Sequence, residues 1–226
     1  TLLDIGCGWG ELILAAAKNY RAKALGITHS IEQYQHVKKR IAEEQLEDLI
    51  EVQQIDFREL KGTAFDRVVS VGMIEHVGKR NLGDYFQSVY SLLNDQGVSL
   101  LHCITGRSEA EGMGTNSWLN KYIFPGGYIP ALQELVSLII DNDFYLIDLE
   151  SLRRHYTMTL EHWADNFQDA LSKIRNMKDE TFVRMWWLYL NVCAASFHCG
   201  NIDLHQLLFT KGVNNNLPLT RRSSLA

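Results

Sequence analysis

Apolar and polar positions along this chain follow two alternating periods. Leu2–Ile5 is a short apolar run closed by glycines, which predicts a buried strand. Residues 11–18 have helical spacing, with Leu12, Ala15 and Ala16 predicted on the inner face. Residues 23–27 predict a second strand. Ser30-Ile31-Glu32-Gln33 matches the S-x-x-Q capping box and starts a helix at Ser30. The apolar face of that helix runs Ile31, Tyr34, Val37, Ile41. Ile50–Gln54 and Phe65–Val71 predict strands, and a helix with Leu82, Tyr85, Phe86, Val89 and Leu93 inward follows. Residues 98–103 predict a fifth strand. The regular alternation predicts an α/β fold, a parallel sheet with helices on both faces.

Residues 106–130 break the alternation. They hold five glycines, two prolines, Trp118, Tyr122 and Phe124, and predict a loop-rich cover. A helix, a strand over 144–149, two long helices near 160–174 and 181–195, and a last strand over 202–210 follow. Residues 1–210 are thus expected to form one domain. Residues 211–226 have no apolar period and predict a flexible tail.

Composition narrows the class. In 226 residues, 46% are hydrophobic and 22% charged, the balance of a globular protein and not of a disordered one. The net charge of -5 argues against a nucleic-acid partner held by phosphate contacts. No apolar run approaches the roughly 20 residues needed to cross a bilayer. Cys7, Cys103, Cys193 and Cys199 form no C-x-x-C pair, and the simplest expectation is a reduced, intracellular chain. His29, His36, His162, His198 and His205 show no metal spacing, so no metal is expected. Thr1 opens directly on the first strand without a Met, as a piece of a longer protein would.

Candidate chemistry begins at Asp4-Ile5-Gly6-Cys7-Gly8-Trp9-Gly10, between the first strand and the first helix. Glycines there let a ligand approach the backbone at the head of the sheet. The dinucleotide pattern G-x-G-x-x-G is not met, because the third glycine comes one position early and Glu11 stands in its place. The acid expected about 20 residues on for a nicotinamide ribose is replaced by Thr28-His29. A G-K-[ST] phosphate loop is absent too. An adenosyl ligand without phosphates fits better, and a sulfonium cation tolerates an acid such as Asp4. The alternative is that the glycines only make a tight turn.

Residues 3–10, Leu-Asp-Ile-Gly-Cys-Gly-Trp-Gly, resemble the first motif of S-adenosylmethionine-dependent methyltransferases. Later stretches resemble one branch, the cyclopropane fatty acid synthases. These are Gly26-Ile27-Thr28 with Ser30-Ile31-Glu32-Gln33, Gly72-Met73-Ile74-Glu75-His76-Val77-Gly78, and Leu101-His102-Cys103-Ile104. Phe124-Pro125-Gly126-Gly127-Tyr128-Ile129-Pro130, His155-Tyr156-Thr157-Met158-Thr159-Leu160, and Tyr189-Leu190 with Cys193-Ala194 complete the set. The first motif marks a superfamily; the later ones mark the branch.

The resemblance implies a Rossmann-like class I methyltransferase fold, a seven-stranded, mostly parallel sheet ordered 3-2-1-4-5-7-6 with the last strand antiparallel. It implies S-adenosylmethionine near Asp4, Gly6, Cys7, Gly8, Thr28, Gln33, Asp56 and Phe57. Gln33 would bond the ribose, unless it only closes the capping box. Asp56 would take the adenine amine and Phe57 the ring face, unless they are a loop acid and a core aromatic. Glu75, His102 and Tyr156, placed after the fourth, fifth and sixth strands, and the backbone of Ile104 are implied ligands of bicarbonate. Singly, each could be a turn cap, a core histidine or an interface tyrosine.

The implied reaction moves a methylene from S-adenosylmethionine to the cis double bond of an unsaturated phospholipid chain. An alkene is a poor nucleophile, and its methylation leaves a carbocation. Ring closure then needs a base beside the new methyl in a dry channel. Aromatics to steady the cation are offered by the cover and by residues 185–189, although the latter read first as a core helix. The implied site of action is cytoplasmic, at the inner face of the bacterial membrane, with room for a homo-oligomer in the full-length enzyme. The family carries an additional N-terminal part that helps meet lipid and supplies a cysteine to the bicarbonate; it is expected to be missing here, and Cys7 is not that residue. Rival readings are a methyltransferase acting on another lipid or a small amine, and a cofactor- or lipid-binding module without turnover.

Overall fold

A computed structural model describes residues 1–107 and 118–220. Seven strands form one sheet: β1 (Leu2–Ile5), β2 (Ala24–Thr28), β3 (Ile50–Gln54), β4 (Phe65–Val71), β5 (Leu93–Gly106), β6 (Phe144–Ser151) and β7 (Ile202–Lys211). Their order is β3-β2-β1-β4-β5-β7-β6, and β7 runs antiparallel to both neighbours. Order and polarity are those expected from the sequence. The helices are α1 (Glu11–Tyr20), α2 (Ile31–Glu43), α3 (Leu82–Leu92), α4 (Trp118–Tyr122), α5 (Leu132–Asp141), α6 (Arg153–Asp169), α7 (Leu171–Arg175) and α8 (Glu180–His198).

Successive strand residues face opposite sides, so each strand feeds two cores. Leu3, Ile5, Leu101 and Phe209 pack with α3 and α5 through Tyr85, Phe86, Leu135 and Ile139. Ala24 and Ile50 meet α1 and α2 through Ile13, Leu14, Val37 and Ile41. A third cluster joins Leu204 of β7 to Leu160, Val183, Leu190 and Phe197 of α6 and α8.

Several local expectations change. The inner face of α1 is Ile13, Leu14 and Ala17, not Leu12, Ala15 and Ala16. Burying an adjacent Ile and Leu hides more apolar area than burying two alanines. In α2, Val37 and Ile41 are buried but Ile31 is exposed. Leu93 opens β5 instead of closing α3, pairing with Phe65. The next ladder pair is Arg67 with Val98, so Asn94-Asp95-Gln96-Gly97 bulges out of the strand, and its turn composition hides the strand's start. Helix α6 begins seven residues before its expected start. Its N-cap, Leu152, has no capping side chain, so the sequence carries no start signal there. Asp179 does cap α8, accepting from the Phe182 N–H at 2.8 Å.

The expected cover lies partly outside the described residues, at 108–117; its described remainder contains α4. The expected tail at 211–226 is described to residue 220. Its first residues are anchored: Lys211 Nζ bonds Leu93 O at 3.0 Å and Asn214 Nδ2 bonds Gln96 O at 2.6 Å.

Candidate active site

Two cavities open at the carboxyl ends of the parallel strands and share Val71, Gly72 and His76. The first, about 570 Å³, is built from the loops that follow β1, β2, β3 and β4. Gly6 and Gly8 line it. Gly8 has φ +55°, and a Cβ there would point into open space. Gly10, at φ +87°, caps α1, and a Cβ on it would meet Val37 at 2.9 Å. The loop therefore needs glycine at Gly10 to close on α2 and at Gly8 to keep the cavity clear.

Thr28 and Gln33 line the same cavity. Thr28 Oγ1 donates to Gln33 Oε1 at 2.7 Å and accepts from the Ser30 N–H at 3.2 Å. Ser30 Oγ accepts from the Gln33 N–H at 3.2 Å. Only half the capping box forms, since the Gln33 side chain is held by Thr28 and keeps its amide donors for other partners.

Asp56 and Phe57 are here too. Asp56 receives two side-chain bonds from Arg58, at 2.9 and 2.7 Å, and lies 3.1 Å from His29 Nε2. The guanidinium holds its carboxyl well below the usual range, so it stays an acceptor. Phe57 is mostly core, edge-on to Tyr85 with ring centroids 5.7 Å apart, and offers only its margin to the cavity.

Two expected residues do not line this cavity. Cys7 turns its side chain into the α1–α2 core, and its N–H is taken by Ile27 O at 3.0 Å. Asp4 is 3% exposed within β1, and burial pushes its pKa up to about 7. Sequence reasoning passed over Arg58 and Asn81, and it quoted Met73 and Val77 in the motif after β4 without giving them a role; all four line this cavity.

The second cavity, about 730 Å³, lies over the β5–β7 ladder beneath α6 and α8. Glu75, His102, Ile104 and Tyr156 all line it. Glu75 sits in the 3-10 turn Ile74–His76 after β4. Its Oε1 accepts the Ile104 N–H at 2.7 Å, while Oε2 is buried without a partner. Burial raises its pKa. His102 lies inside β5 rather than beyond it, and burial lowers its pKa. Its Nδ1 is 3.2 Å from Gln206 Nε2 on β7, a partner with no signal in the sequence. An amide donor on Nδ1 leaves the proton on Nε2, so neutral His102 is a donor on that side. Tyr156 lies in the first turn of α6, edge-on to Phe197 at 4.9 Å. Burial raises its pKa, and the nearby Glu75 charge adds to this.

Most of the remaining wall is apolar and aromatic, and Arg107, Ser196 and Asn201 also line it. Tyr189 faces Phe124 at 5.7 Å, and Trp163 stands 6.3 Å from Tyr156. The core-helix reading of residues 185–189 is therefore half right: Tyr189 lines the cavity and Trp187 is 49% exposed.

A model of the mycolic acid cyclopropane synthetase family matches residues 1–207. The chain belongs to that family. It is 40% identical over 227 residues to a probable fatty acid methyltransferase of Pseudomonas putida, covering 97% of this chain and 58% of that protein. It is 38% identical to the cyclopropane-fatty-acyl-phospholipid synthase of Escherichia coli, covering 97% of this chain and 56% of that one. The structure of mycolic acid cyclopropane synthase CmaA1 complexed with SAH and CTAB superposes with a TM-score of 0.86 at 29% identity, over 93% of this chain and 77% of that one. The fold is the Rossmann-like class I methyltransferase fold. The chain spans a little over half the length of the two curated relatives.

Proposed function

We propose that this chain is the catalytic part of an S-adenosylmethionine-dependent cyclopropane synthase acting on unsaturated phospholipid acyl chains. One observation carries the reading. A polar, glycine-walled cavity and an apolar one with an acid, a histidine and a tyrosine meet at Val71, Gly72 and His76. The E. coli relative is named for this reaction, and CmaA1 was solved with SAH and CTAB.

The first cavity suits an adenosyl ligand. Gly8 leaves room at the loop, Gln33 offers amide donors, and Asp56 is an ionised acceptor. Arg58 is tied to Asp56, which disfavours a polyphosphate. Bound S-adenosylmethionine supplies an electrophilic methyl group. The chain's residues do the rest: the loop after β1 fixes the donor, and the apolar walls of α6 and α8 keep water from a cation on the acyl chain. The rings of Tyr156, Trp163 and Tyr189 face that charge with their π systems.

A base must take a proton from the transferred methyl. Glu75, His102 and Tyr156 form a set that fits bicarbonate, while the Ile104 N–H is already given to Glu75 Oε1 and orients that carboxylate. The orphan Glu75 Oε2 would accept a hydroxyl, and His102 Nε2 and Tyr156 Oη would be the donors for such an ion. Held there, that ion would supply the base. A small-amine substrate has no use for an apolar space of about 730 Å³. Peripheral contact with the inner face of the membrane follows from the substrate; among the described residues no helix is long and apolar enough to cross it.

The test is gas chromatography of fatty acids after the full-length protein meets unsaturated phospholipid vesicles and the methyl donor. A ring-bearing acid one CH₂ heavier than the alkene is expected. A methyl-branched product instead would assign methylation without ring closure, and no lipid product would refute the reading.

A further inference from the structure

The second cavity has two ends, and only one belongs to the reaction. It runs along the β5–β7 ladder, where His102 opposes Gln206, Ile104 opposes Leu204 and Gly106 opposes Ile202. Glu75 lines it at the His102 end. The other end is polar. Arg107, just past the end of β5, lines the cavity beside Asn201 and Ser196, and the Asn201 N–H bonds Ser196 O at 2.9 Å.

Arg107 takes part in no ion pair or hydrogen bond with the described residues. Among the described residues, the charged neighbours of this rim are otherwise engaged. Arg153 donates to the carbonyls of Phe197 and His198 at 2.6 and 3.0 Å, and so neutralises the end of α8. Asp203 pairs with Thr105 on the opposite face of the ladder and accepts from Ser151 at 2.8 Å. Among the described residues the rim thus presents one uncommitted guanidinium with the Asn201 amide on the same cavity wall, donors suited to a phosphate, while the Ser196 hydroxyl is given to Val192 O at 2.8 Å.

We infer that Arg107, with Asn201, is a phosphate subsite that holds the headgroup phosphodiester of the lipid while its acyl chain lies along the β5–β7 ladder. It rests on the reading that this cavity takes an acyl chain. The spacing supports it. Arg107 stands three residues from Ile104 and five from His102, about 10 to 17 Å of extended strand. One acyl chain spans half of a roughly 30 Å hydrocarbon core, so a mid-chain double bond lies about 8 Å below the carboxyl ester, with the glycerol adding to that. A headgroup clamped at the rim therefore brings mid-chain carbons to Ile104 and His102. The clamp acts as a ruler for double-bond position.

The test is binding, read from the fluorescence of the cavity-lining Trp163. An unsaturated phosphatidylcholine and the diacylglycerol with the same chains are titrated, in neutral detergent, into the full-length protein and its Arg107→Met and Arg107→Lys variants. Arg107→Met is expected to weaken the phospholipid about 10-fold or more and to leave the diacylglycerol unchanged within about twofold. Arg107→Lys should recover most of the loss, because it keeps a charge. Equal weakening of both lipids, or of neither, would overturn the subsite and leave the acyl reading standing. Wild-type protein that binds neither lipid would overturn both. Inorganic phosphate separates the two sources of this chemistry. Competition only at far higher concentration than the lipid supports the headgroup; saturation by free phosphate alone would overturn it.

Discussion

The two cavities are made differently. The first takes its walls from loops that directly follow β1, β2 and β3, and its polar groups are already paired: Thr28 with Gln33, Asp56 with Arg58. The second gathers residues from β4, β5, α4, α6, α8 and β7, and leaves Glu75 Oε2 buried and unpaired. A side that only binds can have its partners satisfied in advance. A side that moves protons keeps polar groups available, at a cost of about 1–3 kcal/mol for each buried orphan. The difference teaches where to look for chemistry: in the less satisfied cavity.

The sharpest way to break the comparison is Gly8→Val. A side chain in the open space of the first cavity, at a left-handed φ, should weaken S-adenosylhomocysteine binding by about 100-fold or more while lipid still binds. Titration calorimetry that finds the donor site intact would mean the cavity lies elsewhere. On the other side, Glu75→Gln, His102→Ala and Tyr156→Phe should each lower kcat by about 100-fold, the usual scale for lost acid–base help. Donor affinity should hardly change. Normal turnover in all three would empty the second cavity of its role.

Asp4 sharpens the comparison through pH. Its folded pKa is raised to about 7 from 3.8 by burial, so the native state binds the extra proton between those values. Stability from this group is present below about pH 4 and is lost as pH rises toward 7. Asp4→Asn should therefore gain up to about 4 kcal/mol over wild type at pH 8 and almost nothing at pH 4. Denaturant melts at both pH values check this; an equal gain at both would place the Asp4 effect outside its titration. The smallest effect is expected at Cys7. Cys7→Ser puts a hydroxyl into the α1–α2 core and should cost about 1–2 kcal/mol of stability. Donor affinity should stay within about twofold, and a larger loss would return Cys7 to the ligand.

The sequence by itself determined the strands β1 to β4, the sheet's class, the glycine loop and the Ser30 cap. Each rests on contacts between residues near in the chain, which leave a local pattern of period or spacing. The resemblance in its motifs supplied the strand order and the names of the residues proposed to react. Only the tertiary structure decided the rest. Cys7 and Asp4 left the cavity wall because a loop residue's direction depends on what packs behind it. Tyr156 joined Glu75 through an uncapped helix start, and Gln206 met His102 across 104 residues by ladder register alone. Such pairs are fixed by register and by which face of a strand is covered, and neither leaves a mark at either position when the chain is read one residue after another.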